Sequence, residues 1–252
     1  MNLGSYDRGF AKFYHAQCGG FARQVTPKLL EFYADTPFGK RKAPILDLCC
    51  GTGQSAVLFL QQDYPVIGID QSEAMLAYAR TNAQPYIQSG QAQFIQADAT
   101  QFRLTDRFGL VTSIYDALNH LEDETALKTC FQRVYDCSEG YFIFDLNTQA
   151  GLQRWNSIQV NESEDATVVI QKSFHPEWGK GVAKFICFLR TAEGLYERVE
   201  ETVSNTLFMM NRVKQLMEAV GWRNIYFARL SDLSQPIVDP EQELRVFIVA
   251  QK

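Results

Sequence analysis

The chain has 252 residues, 46% hydrophobic and 21% charged, enough for one large α/β domain with an insertion or a small satellite. Its net charge of -5, with no basic cluster beyond Lys40-Arg41-Lys42, argues against nucleic acid as a partner, because phosphate contacts want grouped cations. No run approaches the ~18 apolar residues of a membrane span, residues 1–10 resemble no leader, and six cysteines form no C-x-x-C pair, so a cytoplasmic, reduced protein is expected.

Two helices are expected first, over 5–18 and 20–35. Phe10, Phe13 and Tyr14, then Phe21, Val25, Leu29, Phe32 and Tyr33, recur at three- and four-residue steps. A breaker-rich linker, 37–44, leads to a strand at 45–49. Alternation follows: helix 54–62, strand 65–69, helix 72–83, strands 93–97 and 109–114, a helix near 123–137 and a fifth strand at 141–145. Ser72-Glu73 supplies an N-cap and an acidic first turn. Such βα alternation predicts a parallel sheet with helices on both faces. Between 157 and 205 the period changes to an antiparallel meander, with strands at 167–174, 183–189 and 196–203. Leu207, Met210, Val213, Met217 and Val220 then form a helical stripe that stops at Gly221. Two final strands, 222–230 and 244–250, are joined by a polar loop.

The chemistry-bearing residues lie at strand ends. Ile45-Leu46-Asp47-Leu48-Cys49-Cys50-Gly51-Thr52-Gly53 runs from an apolar strand through a carboxylate into two glycines, which are free to take φ > 0 and to let a ligand approach the main chain. Val66 to Ile69 ends at Asp70, 19 residues after Gly51, a spacing at which an acid can meet ribose hydroxyls. Gln93 to Ala97 ends at Asp98, an acceptor suited to an adenine amino group. Gly51 to Ala56 also satisfies G-x-G-x-x-A, so an NAD-dependent oxidoreductase is the rival reading, although Asp47 would face a pyrophosphate unfavourably.

The segments LDLCCGTG, IGIDQSEAML and FIQADAT resemble, in order and spacing, the cofactor motifs of class I S-adenosylmethionine-dependent methyltransferases; the likeness covers 43–150 well and 205–252 more loosely. It implies a Rossmann-like, seven-stranded, mostly parallel sheet, with a small antiparallel β insertion after the fifth strand. Residues 1–156 and 206–252 would form the cofactor-binding domain, helices within 1–36 would cover the site, and 157–205 would be a cap like that of small-molecule N-methyltransferases. It further implies S-adenosylmethionine as cofactor and S-adenosylhomocysteine as product. Asp47, Gly51 and Gly53 would frame the methionine end, Asp70 the ribose, Gln71 and Met75 the ribose and adenine, and Asp98 with Ala99 the adenine edge. Tyr14 either closes over the donor carboxylate or belongs to the apolar face with Phe10 and Phe13. Two positions depart from the pattern: Cys49 replaces a glycine, which would demand a slightly wider turn, and Gly109 stands where an Asp often precedes the fourth strand.

Methyl transfer needs donor carbon and acceptor atom held collinear in a dry pocket, and a base only where the acceptor must lose a proton. The acceptor-facing candidates therefore follow the fourth strand: Tyr115 beside the cofactor, Asp116 for an acceptor amine or as a helix cap, and His120 as the proton acceptor or as a residue behind the site. Trp155 and Trp178 are assigned to the core, and no metal site is expected. The acceptor is expected to be a small molecule, an amine nitrogen ahead of a hydroxyl, with a catalytically inactive cofactor-binding regulatory protein as the other alternative. Nothing in the sequence sets the oligomeric state.

Overall fold

All four residues of β1 (Ile45–Leu48) are buried, and alternate side chains serve opposite faces: Ile45 joins one apolar cluster, Leu46 and Leu48 another. The same division recurs in β4 (Phe108–Ser113) and β5 (Ser138–Asn147), where Leu110 and Ile143 face one way and Val111, Phe142 and Phe144 the other. Such strands need cover on both sides. In this computed structural model, which describes residues 8–17 and 19–252, helices supply it. On one face lie α2 (Gly19–Ala34), α4 (Gln54–Leu60) and α5 (Glu73–Asn82), through Val25, Ala56 and Leu76; on the other lie α7 (Glu124–Cys137) and α9 (Met210–Val220), through Val134 and Val213. The first helix, α1 (Arg8–Gln17), falls within the expected 5–18, whose remaining residues lie outside those described.

With β2 (Val66–Asp70), β3 (Ala92–Gln96), β10 (Arg223–Arg229), β11 (Asp232–Pro236) and β12 (Arg245–Gln251), the main sheet has the order β11-β10-β12-β5-β4-β1-β2-β3. β1 to β5 pair in parallel, whereas β12 runs antiparallel to both β5 and β10. The strand order reverses between β1 and β4, and ligands of open α/β sheets bind at the carboxyl ends of strands on either side of such a point.

The α/β, mainly parallel architecture is as expected; to the seven expected strands is added an eighth at the edge, where part of the predicted polar loop, Asp232–Pro236, pairs with β10. Three short helices also fall where none was anticipated: α3 (Pro37–Lys40), capped by the Thr36 hydroxyl, α6 (Gln84–Gln88), and α8 (Gln149–Leu152). Ser72 caps α5 as expected, accepting from the Met75 N–H at 3.2 Å, and Gly221 ends α9 at φ 120°.

The second sheet is antiparallel and ordered β6 (Asn156–Glu162), β7 (Ala166–His175), β8 (Lys180–Arg190), β9 (Tyr196–Thr206). β6 was absent from the sequence-based expectation. α1 packs against this sheet: Phe10 and Phe13 meet Phe185 with ring centroids 5.4 and 6.0 Å apart. No helix among the described residues is long and apolar enough to cross a membrane.

Candidate functional site

The carboxyl ends of β2, β3 and β4 open into a cleft of about 720 Å³, closed over by α1 and one face of the antiparallel sheet. Register explains that face. Ser157, Lys172, Ala183 and Val203 are partners across four strands, Gln159, Ile170 and Phe185 form the next row of the same parity, and all of them line the cleft.

Of the residues expected in the site, Tyr14, Gly51, Asp70, Gln71, Met75, Asp98, Ala99, Tyr115, Asp116 and His120 line this cleft together. Asp70 ties two loops: its carboxylate accepts the Gly51 N–H at 2.8 Å and the Ser72 N–H at 2.9 Å. Burial pushes its carboxyl up from the ordinary range, and those N–H groups oppose the shift. Asp98 accepts from the backbone N–H and hydroxyl of Thr100 through one oxygen, at 2.7 and 2.6 Å.

Asp47 and Gly53 stand elsewhere. Asp47 lines a narrow side chamber with Tyr14, Cys49, Cys50 and Tyr115, three of which also wall the main cleft. It is 2% exposed, and its Oδ2 has no hydrogen-bond partner among the described residues. Burial pushes this carboxyl up to about 7, against a hydroxyl contact from Thr112 at 3.4 Å. A cation entering the chamber would restore the carboxylate, so the residue fits the ammonium end of the expected donor. Gly53 lines neither space. At φ 73° it starts α4, and a Cβ there would stand 2.9 Å from the Ala79 Cβ, so its smallness serves helix packing.

Cys49 itself adopts φ 60°, the left-handed region that glycine favours. Burial, with Asp70 nearby, pushes its thiol well up. Gly109 is explained by packing: a Cβ would come within 2.3 Å of the Tyr33 hydroxyl.

The loop after β4 is held in an unusual shape. Tyr115 and Asp116 both have positive φ, 71° and 49°, and their backbone N–H groups donate to the two oxygens of the wholly buried Asp145, at 2.6 and 3.0 Å. Arg245 bridges Asp145 and Asp116, reaching the latter at 2.7 Å, and its guanidinium lies 4.9 Å from the Phe21 ring, which stacks on Tyr115 at 4.5 Å. Asp116 thus caps nothing with its side chain; it is half of an ion pair at the cleft wall. His120 ends the following 3-10 turn, with Nδ1 2.9 Å from the Ser204 carbonyl. A carbonyl only accepts, so Nδ1 carries the hydrogen and, in the neutral ring, Nε2 the lone pair.

Sequence reasoning missed several lining residues: Arg154, Lys172, Asn147, Asn205 and Arg245. The signal for Asn205 was strand alternation, but the expected strand ended at 203 rather than at Thr206. Nothing local marked Arg245 as the partner of an acid 100 residues away. Both tryptophan assignments are corrected: Trp155 lines the cleft, and Trp178 is 66% exposed beside His175. Among the described residues, no group of three or more His, Cys, Asp or Glu could hold a metal ion.

The family described as Methyltransferase domain matches residues 45–140. A candidate methyltransferase of Geobacillus sp. strain WCH70 is 28% identical over 220 residues, 85% of this chain and 87% of that one. A solved S-adenosylmethionine-dependent methyltransferase of Clostridium acetobutylicum superposes with a TM-score of 0.76 at 19% identity, covering 96% of this chain and 97% of the other. The sugar N-methyltransferase KedS8 of Streptoalloteichus superposes with a TM-score of 0.74 at 20% identity, over 95% and 91% of the two chains.

Proposed function

We propose that the chain, whose residues 45–140 match the methyltransferase-domain family, is a class I S-adenosylmethionine-dependent methyltransferase and that it methylates the nitrogen of a small-molecule amine. The observation that carries the proposal is a single cleft that brings the strand-end acids Asp70 and Asp98 together with Tyr115, Asp116 and His120. Bound there, the cofactor supplies an electrophilic methyl group on a sulfonium. Asp70 accepts from the ribose, Gln71 and Met75 flank the ribose and adenine, Asp98 with the Ala99 backbone meets the adenine edge, and Asp47 faces the ammonium, while Tyr14 and Gly51 border the methionine end. An amine must present a lone pair to be methylated, so the protonated acceptor has to shed a hydrogen. His120 Nε2 is the place for that proton, since the Ser204 carbonyl sets the ring tautomer and its orientation. α1 and the antiparallel sheet, β6 to β9, act as a cap that keeps water from the transfer. A cytoplasmic setting is part of the same reading.

Nitrogen is placed ahead of oxygen because a sugar N-methyltransferase shares the fold over 95% of the chain. The test is a screen of small amines and phenols with the purified protein, reading S-adenosylhomocysteine and the mass of the product. Methylation confined to amines supports the proposal. Transfer confined to phenols would replace nitrogen by oxygen, and no turnover with either would favour a binding protein.

A further inference from the structure

Two cations line the cleft without an acid to balance them. Arg154, just after α8, and Lys172, on β7, are within 4.0 Å of no Asp or Glu oxygen among the described residues. The third cation of the cleft, Arg245, is already matched by Asp116 and Asp145. Lys172 is held in place by Trp155, with Nζ 5.0 Å from the ring centroid. That ring can lie against β8 because position 181 is glycine, where a Cβ would come within 2.9 Å of Trp155 Cε3.

A second observation is independent of charge. Asn205, 1% exposed, lines the cleft with both its amide oxygen and nitrogen unpartnered among the described residues, as is the Nδ2 of the buried Asn147. A buried amide without a partner bears its whole desolvation cost, and such groups persist where a ligand completes them. The position is equally telling. Asn147 ends β5 and Arg154 follows it, across the β1–β4 pair from the acids of β2 and β3. The cleft therefore has an acidic side, suited to a partly cationic donor, and a cationic, amide-lined side.

Resting on the methyl-transfer reading above, we propose that the acceptor is an anionic amine: Arg154 and Lys172 bind its carboxylate or phosphate, and Asn147 and Asn205 hydrogen-bond its polar body. Guanidinium and ammonium groups recognise either anion, so the experiment separates the two sources. The protein loaded with S-adenosylhomocysteine is titrated at fixed ionic strength with inorganic phosphate and, separately, with acetate, followed by NMR of the anion. Saturable binding of one of them is expected, and the one that binds names the acidic group. Arg154→Ala and Lys172→Ala should each weaken it at least fivefold, whereas Lys214→Ala, exposed on α9, should leave it unchanged. All three variants should bind S-adenosylhomocysteine within twofold of wild type. Absence of saturation by either anion, or an equal loss in Lys214→Ala, would overturn the proposal. So would loss of S-adenosylhomocysteine affinity in the two cleft variants, which would assign the cations to the donor's own carboxylate. Failure of the wild type to bind S-adenosylhomocysteine would remove the methyl-transfer reading, and this proposal with it.

Discussion

Asp47 opposes stability in the folded chain and, in the proposed reading, serves binding. A free carboxyl titrates near ~3.9, but burial moves this one to about 7 in the folded chain. Between those values the folded state holds a proton that the unfolded state has released, so the residue's contribution to stability falls as pH rises through the window and levels above it. Asp47→Asn should therefore be more stable than wild type at pH 8; even 1 kcal/mol corresponds to about 2–4 °C in Tm for a chain of this size. Binding should move the other way. An ammonium beside Asp47 needs the carboxylate, so wild-type affinity for S-adenosylmethionine should rise with pH up to about 7, with proton release below it, and Asp47→Asn should lose both effects. Calorimetry in buffers of different ionisation enthalpy measures this directly. His120→Gln keeps a donor for the Ser204 carbonyl but no base; kcat should drop ~10²–10⁴-fold with cofactor affinity unchanged. The strand-end acids were legible in the sequence because each closes an apolar run. Asn147, Asn205, Arg154 and Lys172 were not, because the contacts that bring them to the cleft are long-range and leave no local spacing.

At the scale of elements, the loop after β4 depends on partners from β5 and β12. Two adjacent residues at positive φ cost conformational energy, which the two N–H bonds to Asp145 offset. Arg245→Met would leave that wholly buried carboxylate without its cation. The expected loss is about 3–5 kcal/mol in denaturant unfolding, partly recovered by adding Asp145→Asn. Gly109→Ala tests a different contact: a methyl 2.3 Å from the Tyr33 hydroxyl should cost about 1–3 kcal/mol, with affinity for S-adenosylhomocysteine intact in the folded fraction. The parallel strands and their helices were readable because alternation of apolar runs and amphipathic stripes has one good solution. β6 escaped for a physical reason. Its cleft-facing residues, Ser157, Gln159 and Asn161, are polar because they line the site, while Ile158 and Val160 point out to solvent at 69% and 62% exposure. The usual relation between burial and hydrophobicity is inverted there. β11 escaped because a five-residue edge strand, mostly exposed, carries too little apolar signal.

The whole molecule is two sheets meeting around one cleft. The parallel sheet brings the acids of β2 and β3 to the topological switch, and the antiparallel sheet closes the opposite wall with one face of four registered strands. Two apolar clusters sandwich the parallel sheet, and a third joins α1 and α5 to the antiparallel sheet. The third cluster contains Met75, which lines the cleft, together with Phe10 and Phe13, so a ligand seated against Met75 would touch a side chain that also packs α1. In the proposed reading the acids of this cleft hold S-adenosylmethionine. The most direct test is calorimetric titration of wild type and Asp70→Ala with S-adenosylmethionine, S-adenosylhomocysteine and NAD. Micromolar binding of the first two to wild type, none of NAD, and at least a tenfold weaker affinity in Asp70→Ala, which loses a charge-assisted hydrogen-bond pair, is the predicted result; NAD binding, or equal affinity in the variant, would contradict it.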